Sequence, residues 1–226
     1  KAKWFGNRLQ TNVAIFQNDI DDMQLSSYDQ STGYSKIDNA GKARVRGFEL
    51  ETLWAISYGL SAYFNYGYLD GEYRDFVDPV TNAQLKDTAL FAYTPKNKAS
   101  VGLEYVSDVG FAELRIRGDY SYVDEQVFYR QPYSAQVTKS PDYTLLNGRI
   151  ALVNIGLSGV QTLDVSLWGK NLTDEEYMIG GYQFVAPDPS DPQNVSKYTP
   201  GLGGDNTLIG YFGDPRTVSL TVGYQF

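Results

Sequence analysis

The stretch AELRIRGDYSY, Ala112 to Tyr122, alternates without a break. Ala112, Leu114, Ile116, Gly118, Tyr120 and Tyr122 fall on one side, and Glu113, Arg115, Arg117, Asp119 and Ser121 on the other. A period of two describes a β-strand with two unlike faces. A soluble sandwich hides the apolar face in a core and wets the polar one. A membrane barrel does the reverse, with apolar residues toward lipid and polar residues toward a wet or plugged interior. Charges of both signs in mid-strand favour the barrel, whose broad interior can be lined with ion pairs.

The same alternation recurs outward from this stretch. Val218, Leu220, Val222, Tyr224 and Phe226 interleave with Thr217, Ser219, Thr221, Gly223 and Gln225, and similar patterns run through 48–54, 60–68, 98–105 and 163–170. About eight strands are predicted, near 6–17, 42–55, 60–73, 96–107, 111–128, 142–156, 161–173 and 214–226. Short turns at 57–59, 107–110 and 157–159 alternate with long polar connections at 26–42, 70–96, 123–142 and 174–214. One rim is thereby trimmed and the other carries extended loops, the outer-membrane arrangement. Aromatics such as Trp4, Phe5, Trp54, Tyr58, Phe111 and Tyr143 gather near strand ends, where interfacial girdles lie. A secreted sandwich is the soluble alternative.

Composition narrows the function. The 226 residues include no Cys and no His, 19 Tyr, and 27 acidic against 19 basic side chains. A net charge of −8 argues against nucleic acid, which calls for a basic face. The commonest metal ligand and general base is absent, so neither an enzyme nor a resident cofactor or metal is expected. No apolar run reaches the length of a spanning helix. The chain starts at Lys1 without a signal-peptide pattern, which reads as a processed product or a piece of something longer.

Three segments resemble the C-terminal barrel of TonB-dependent outer-membrane receptors. They are Asn39-Ala-Gly-Lys-Ala-Arg-Val-Arg-Gly-Phe-Glu-Leu-Glu51, Gly169-Lys-Asn-Leu-Thr-Asp-Glu-Glu-Tyr177, and Gly213-Asp-Pro-Arg-Thr217 with the strand that ends at Phe226. Their order and spacing extend the resemblance over residues 1–226 as one barrel segment. The resemblance implies the last third of a 22-stranded plugged barrel in a Gram-negative outer membrane. It also implies energised import of a scarce nutrient such as a ferric siderophore, driven through a plug domain by a TonB-type complex. No plug is present in this chain. An autonomous eight-stranded barrel with a structural or adhesive role is therefore the competing reading, and the motifs favour the fragment.

Candidate residues follow from these readings. Glu49, Glu51, Glu113, Arg115, Arg117, Arg149, Asp164 and Lys170 are expected to face the lumen, with Glu49 and Glu51 paired to Arg or Lys on a neighbouring strand. Loop aromatics Tyr177, Tyr182, Phe184, Tyr198 and Tyr211 are candidates for contact with a small-molecule ligand, by stacking and hydrogen bonding. Leu220, Val222, Tyr224 and Phe226 form a lipid-facing edge that resembles the signal read by the barrel-assembly machinery through strand addition. Asp188 and Asp191 could suggest calcium, but the Gly and distal Glu of an EF-hand loop are missing. The Gly201–Gly204 run lacks the Lys and helix of a phosphate loop. The sequons at Asn171 and Asn194 read as coincidences.

Overall fold

The computed structural model describes residues 1–29, 34–80, 82–132, 138–157, 159–183, 185–188, 190–191, 198–200 and 208–226. The predicted strands assemble into one antiparallel sheet: β1 (Ala2–Trp4), β2 (Leu9–Asp29), β3 (Tyr34–Ser57), β4 (Leu60–Phe76), β5 (Asn97–Asp108), β6 (Glu113–Val123), β9 (Tyr143–Gly156), β10 (Thr162–Lys170) and β15 (Thr217–Gln225). Among the described residues, three two-stranded antiparallel pairs lie in the long connections: β7 (Gln126–Val127) with β8 (Lys139–Ser140), β11 (Met178–Gln183) with β14 (Leu208–Phe212), and β12 (Val185–Pro187) with β13 (Tyr198–Pro200). The expected eight strands are thus joined by a short ninth at the edge.

Register carries the apolar pattern straight across the sheet. Leu60, Tyr105, Ile116, Ile150, Leu167 and Leu220 are successive partners on six neighbouring strands. All but Leu60 are exposed, as are Ile15, Trp54, Phe64, Leu103 and Val222 on the same face. An apolar patch of this extent is untenable in water and is what a lipid-facing wall requires. Its upper limit can be read on three strands. On β3 the outward face runs Trp54, Thr52, Leu50, Phe48 and then Arg46 and Arg44. The apolar part covers roughly 20 Å of strand. On β2 the change comes after Ile15, and on β4 after Tyr68. Immediately above sit the pairs Arg44–Asp19 at 2.5 Å, Arg46–Glu72 at 2.9 Å, Arg74–Glu72 at 2.9 Å and Lys42–Asp21 at 3.0 Å.

The short rim is held by tight turns. Tyr58-Gly59 joins β3 to β4 in two residues, with Gly59 at φ 75°. A Cβ on Gly59 would lie 2.1 Å from the Val106 carbonyl oxygen, so both conformation and space call for glycine. Phe226 ends on this rim, because β15 runs antiparallel to β10 with Gln225 opposite Thr162.

At the other end the structure corrects one expectation. Residues 26–42 do not form a polar loop, because β2 and β3 stay paired out to Asp29 and Tyr34. The reason lies on the inward side, where Leu25 and Ala43 join Tyr73, Phe76, Ala83 and Leu85 in a buried cluster. Met23, Ala89 and Phe91 pack against it. Bulges between Ile20 and Met23 and between Lys42 and Ala43 adjust the strands as they enter the cluster. The connection 77–96 folds back over the inward face, with Phe91 stacked on Tyr73 at 4.5 Å. A Cβ on Gly71 would meet the Phe91 ring at 2.8 Å, so the missing side chain makes room for it. The expected strand 111–128 is shorter, since β6 stops at Val123 and the β7–β8 pair begins three residues later.

Candidate functional site

Two regions hold the chemistry: the polar face of the sheet and the loops above it. On the polar face, Arg117 makes a forked contact to Asp119, with Nε at 3.0–3.1 Å and Nη2 at 2.8 Å. The Tyr63 hydroxyl donates to Asp119 Oδ1 at 2.6 Å, and the guanidinium lies 5.4 Å from the Tyr63 ring centre. Tyr63 reaches Asp119 across Gly102, whose missing side chain leaves room for the ring. Arg115 bonds Glu113 at 2.6 Å. Lys170 sits 5.5 Å from the Trp168 ring, and Trp168 Nε1 donates to Thr221 at 3.3 Å.

The expected basic partners of the two glutamates are not beside them. Glu51 accepts from Asn12 Nδ2 at 3.0 Å, and Glu49 makes no ion pair among the described residues. Register explains this, since Glu49 is flanked by Ala14 and Gly67, and Glu51 by Asn12 and Asn65. Lys98 lies one strand further along the Glu49 row, beyond Gly67. Glu49, Glu51, Asn65, Lys98 and Ser100 are among the residues that line an open trough of about 410 Å³. Asp164 accepts from the Asn154 backbone N–H at 2.7 Å, where Asn154 (φ 57°) forms a bulge in β9. Its carboxylate shapes the strand. Arg149 lies between Arg117 and Trp168 in register and makes no ion pair among the described residues.

The motif Asn171-Leu-Thr-Asp-Glu-Glu-Tyr177 builds a clamp at the root of the longest loop. Asn171, 3% exposed, donates from its side chain to the carbonyls of Glu175 and Asp214 and accepts from Glu175 N–H. Asp174 accepts from the Arg216 N–H at 3.1 Å and pairs with its guanidinium at 3.3 Å. Both ends of the loop are therefore tied to one turn. Leu172 turns to the outer face and fills the space beside Gly169 and Gly148. Tyr177 stacks on Tyr143 at 4.6 Å and lies where a side chain on Gly213 would be.

The remaining loop aromatics divide. Tyr182 and Tyr211 lie on β11 and β14 and are 53% and 54% exposed. Around them sit two tyrosines that periodicity does not single out, Tyr93 and Tyr129. The Tyr129 hydroxyl donates to the Gly181 carbonyl at 3.4 Å, and burial pushes its pKa up, with Tyr182, Tyr93 and Tyr211 nearby. Tyr93 packs on Phe128 at 5.3 Å. Arg130 ties the loops together: its carbonyl accepts from Leu90 N–H and its guanidinium donates to the Ser26 carbonyl. These residues occupy three separate connections, so only their meeting in space identifies them. Tyr198 opens β13, and Phe184, Asn194 and Gly201–Gly204 lie outside the described residues. Asp188 turns its carboxylate to Ser190 N–H and Oγ, an Asx turn. No group of three metal-ligating side chains occurs among the described residues.

Residues 1–172 match the family described as "TonB dependent receptor-like, beta-barrel". The chain belongs to this family. Its two-faced sheet is accordingly a section of a transmembrane antiparallel barrel wall. The pesticin receptor of Yersinia enterocolitica is 25% identical over 184 residues, 78% of this chain and 24% of that protein. The ferric yersiniabactin uptake receptor FyuA of Yersinia pestis shares the fold with TM-score 0.69 at 21% identity, over 97% of this chain and 28% of that receptor. The ferric preacinetobactin receptor BauA of Acinetobacter baumannii follows with TM-score 0.64 at 19% identity, over 97% and 28%. The chain spans about a quarter of the length of these receptors. Receptors of this family reside in the Gram-negative outer membrane and work with a plug domain and TonB.

Proposed function

We propose that residues 1–226 form one section of the wall and extracellular loops of an outer-membrane receptor that imports a ferric siderophore by energised transport. In this reading the apolar band meets outer-membrane lipid, and the long connections face the exterior. Glu49, Glu51, Glu113, Arg115, Arg117, Arg149 and Lys170 line the lumen against the receptor's own plug, which a TonB-type complex drives. Tyr182 and Tyr211 contact the ligand, while Tyr177 anchors the loop that carries them. Leu220, Val222, Tyr224 and Phe226 present the edge that the barrel-assembly machinery engages.

The observation that supports this reading best is the sheet's division into an exposed apolar face and an ion-paired polar face, in a chain of this family whose solved relatives include siderophore receptors. The test is uptake of iron from radiolabelled ferric siderophores by iron-starved cells, with and without the receptor's gene and with and without a protonophore. Uptake that needs both the receptor and the proton gradient is expected. Receptor-independent uptake of every chelate, or uptake indifferent to the protonophore, overturns the proposal.

A further inference from the structure

Two features of the loop end bear on the charge of whatever it holds. The first is how charge is shared between the ends of the sheet. Residues 17–46, 70–96, 124–142 and 171–216, which build the long-loop end, contain 20 of the 27 acidic side chains and 11 of the 19 basic ones. The membrane strands and short turns are close to neutral, so these four segments carry the whole negative balance of the chain.

The second is that every arginine there is engaged, while the exposed ammonium groups of Lys86 and Lys96 make no ion pair among the described residues. Arg44, Lys42, Lys139 and Arg216 each pair with an aspartate or glutamate, and Arg46 and Arg74 share Glu72. Arg130 is held by the Ser26 carbonyl. By contrast Asp87, Asp142, Glu176 and Asp214 are exposed and make no ion pair among the described residues. An anionic chelate would need free guanidinium or ammonium groups to clamp it. Lys86 and Lys96 are outnumbered there by those four carboxylates, and the loops add phenol rings, those of Tyr93, Tyr182 and Tyr211, exposed beside the more buried Tyr129. Such rings stack on flat uncharged groups and attract cations to their faces.

We infer that the ligand is a ferric chelate without net negative charge, cationic chelates being held best, and that the Tyr93–Tyr129–Tyr182–Tyr211 patch is its seat. This rests on the siderophore-import reading above. The carboxylate excess repels anions at long range, and the tyrosines hold the chelate at short range. The two contributions separate experimentally, because only the first is screened by salt.

The experiment uses the intact receptor purified from outer membranes and three ferric probes. They are a linear trihydroxamate with a free amine (cationic), a cyclic trihydroxamate (uncharged) and a tricatecholate (trianionic). At low salt the cationic probe is expected to bind about tenfold more tightly than the trianionic one, with the uncharged probe between them. The spread should narrow as the screening length falls from about 10 Å at 0.1 M to about 3 Å at 1 M salt. Replacing Asp87, Asp142 and Glu176 by Asn or Gln should narrow it further. Tyr182→Ala with Tyr211→Ala should weaken the preferred probe about tenfold or more at every salt concentration, a loss of stacking. Tightest binding of the tricatecholate, or a ranking indifferent to salt, overturns the inference and leaves siderophore import standing. Binding of none of the probes, together with gene-independent iron uptake, overturns both.

Discussion

Substituting Gly213 by alanine tests whether Tyr177 is a loop anchor. An ideal Cβ at Gly213 would lie 1.9 Å from Tyr177 Cζ, 2.2 Å from Cε2 and 2.3 Å from the hydroxyl oxygen. Carbon atoms do not approach much closer than about 3.5 Å, so the ring must withdraw by more than about 1 Å. Withdrawal ends its stack on Tyr143, at 4.6 Å, and strains the Gly213 N–H bond to the Tyr177 carbonyl, at 2.9 Å. The stack is worth about 0.5–1.5 kcal/mol and the overpacking about 1–3 kcal/mol. Together they should destabilise the loop root by about 1.5–4.5 kcal/mol, which raises its open population roughly 10- to 2000-fold. The assay is amide exchange and limited proteolysis of residues 171–216 in the detergent-solubilised receptor. The nine-pair register of β10 with β15 is independent of Tyr177, so barrel melting should hold steady. Tyr177→Ala should loosen the loop by the stacking contribution alone. The double variant should match Tyr177→Ala, because the clash is then gone. Additive effects of the two substitutions, or unchanged protection in Gly213→Ala, would refute the reasoning.

Other expectations follow from the same structure. Arg117→Glu puts a carboxylate against Asp119 and Tyr63 and should lower transport more than Lys139→Glu, whose side chain pairs with exposed Glu125 at 3.5 Å; equal losses in a transport assay count against the lumen reading. Phe76 is fully buried in the cluster beneath the 77–96 connection, so Phe76→Ala should cost about 3–5 kcal/mol there and speed proteolysis of that connection without lowering the barrel's melting temperature. The Arg44 guanidinium beside Asp19 holds its carboxyl below the usual aspartate range. A depressed carboxyl pKa means that the pair supports the β2–β3 ribbon above the unfolded value and loses that support as pH falls through the folded one. Amide protection at residues 17–20 and 43–46, corrected for intrinsic exchange, should therefore decline in acid, and Asp19→Asn should abolish the decline. A decline of the same size in the variant would exclude the pair as its cause.

Much of this architecture was legible in the order of residues. Alternation through Ala112–Tyr122 and Val218–Phe226 is a local property, since successive side chains point to opposite faces whatever the partner strand. Eight strands, their two faces and the short rim followed directly. The motif at Asn171–Tyr177 was visible as a family signature, but its work as a clamp on Asp214 and Arg216 was not, because its partners lie about forty residues away. The polar face was legible as a set, whereas its pairing was not. Periodicity says that Glu49 and Glu51 share a side, and only register reveals that their neighbours are Ala14, Gly67, Asn12 and Asn65.

The loop end marks the boundary between the two kinds of knowledge. Residues 26–42 look polar along the chain, yet Leu25 and Ala43 enter a core with Tyr73, Phe76 and Leu85, and burial extends the ribbon. Tyr93, Tyr129, Tyr182 and Tyr211 come from three connections with no common spacing, and the fold alone brings them together. The sequence by itself determined which residues of each strand share the apolar face, because that choice repeats every second residue along one chain segment. Which loop groups meet, and which charges are neutralised, was decided only by tertiary structure, because it depends on closures between segments that no local period encodes.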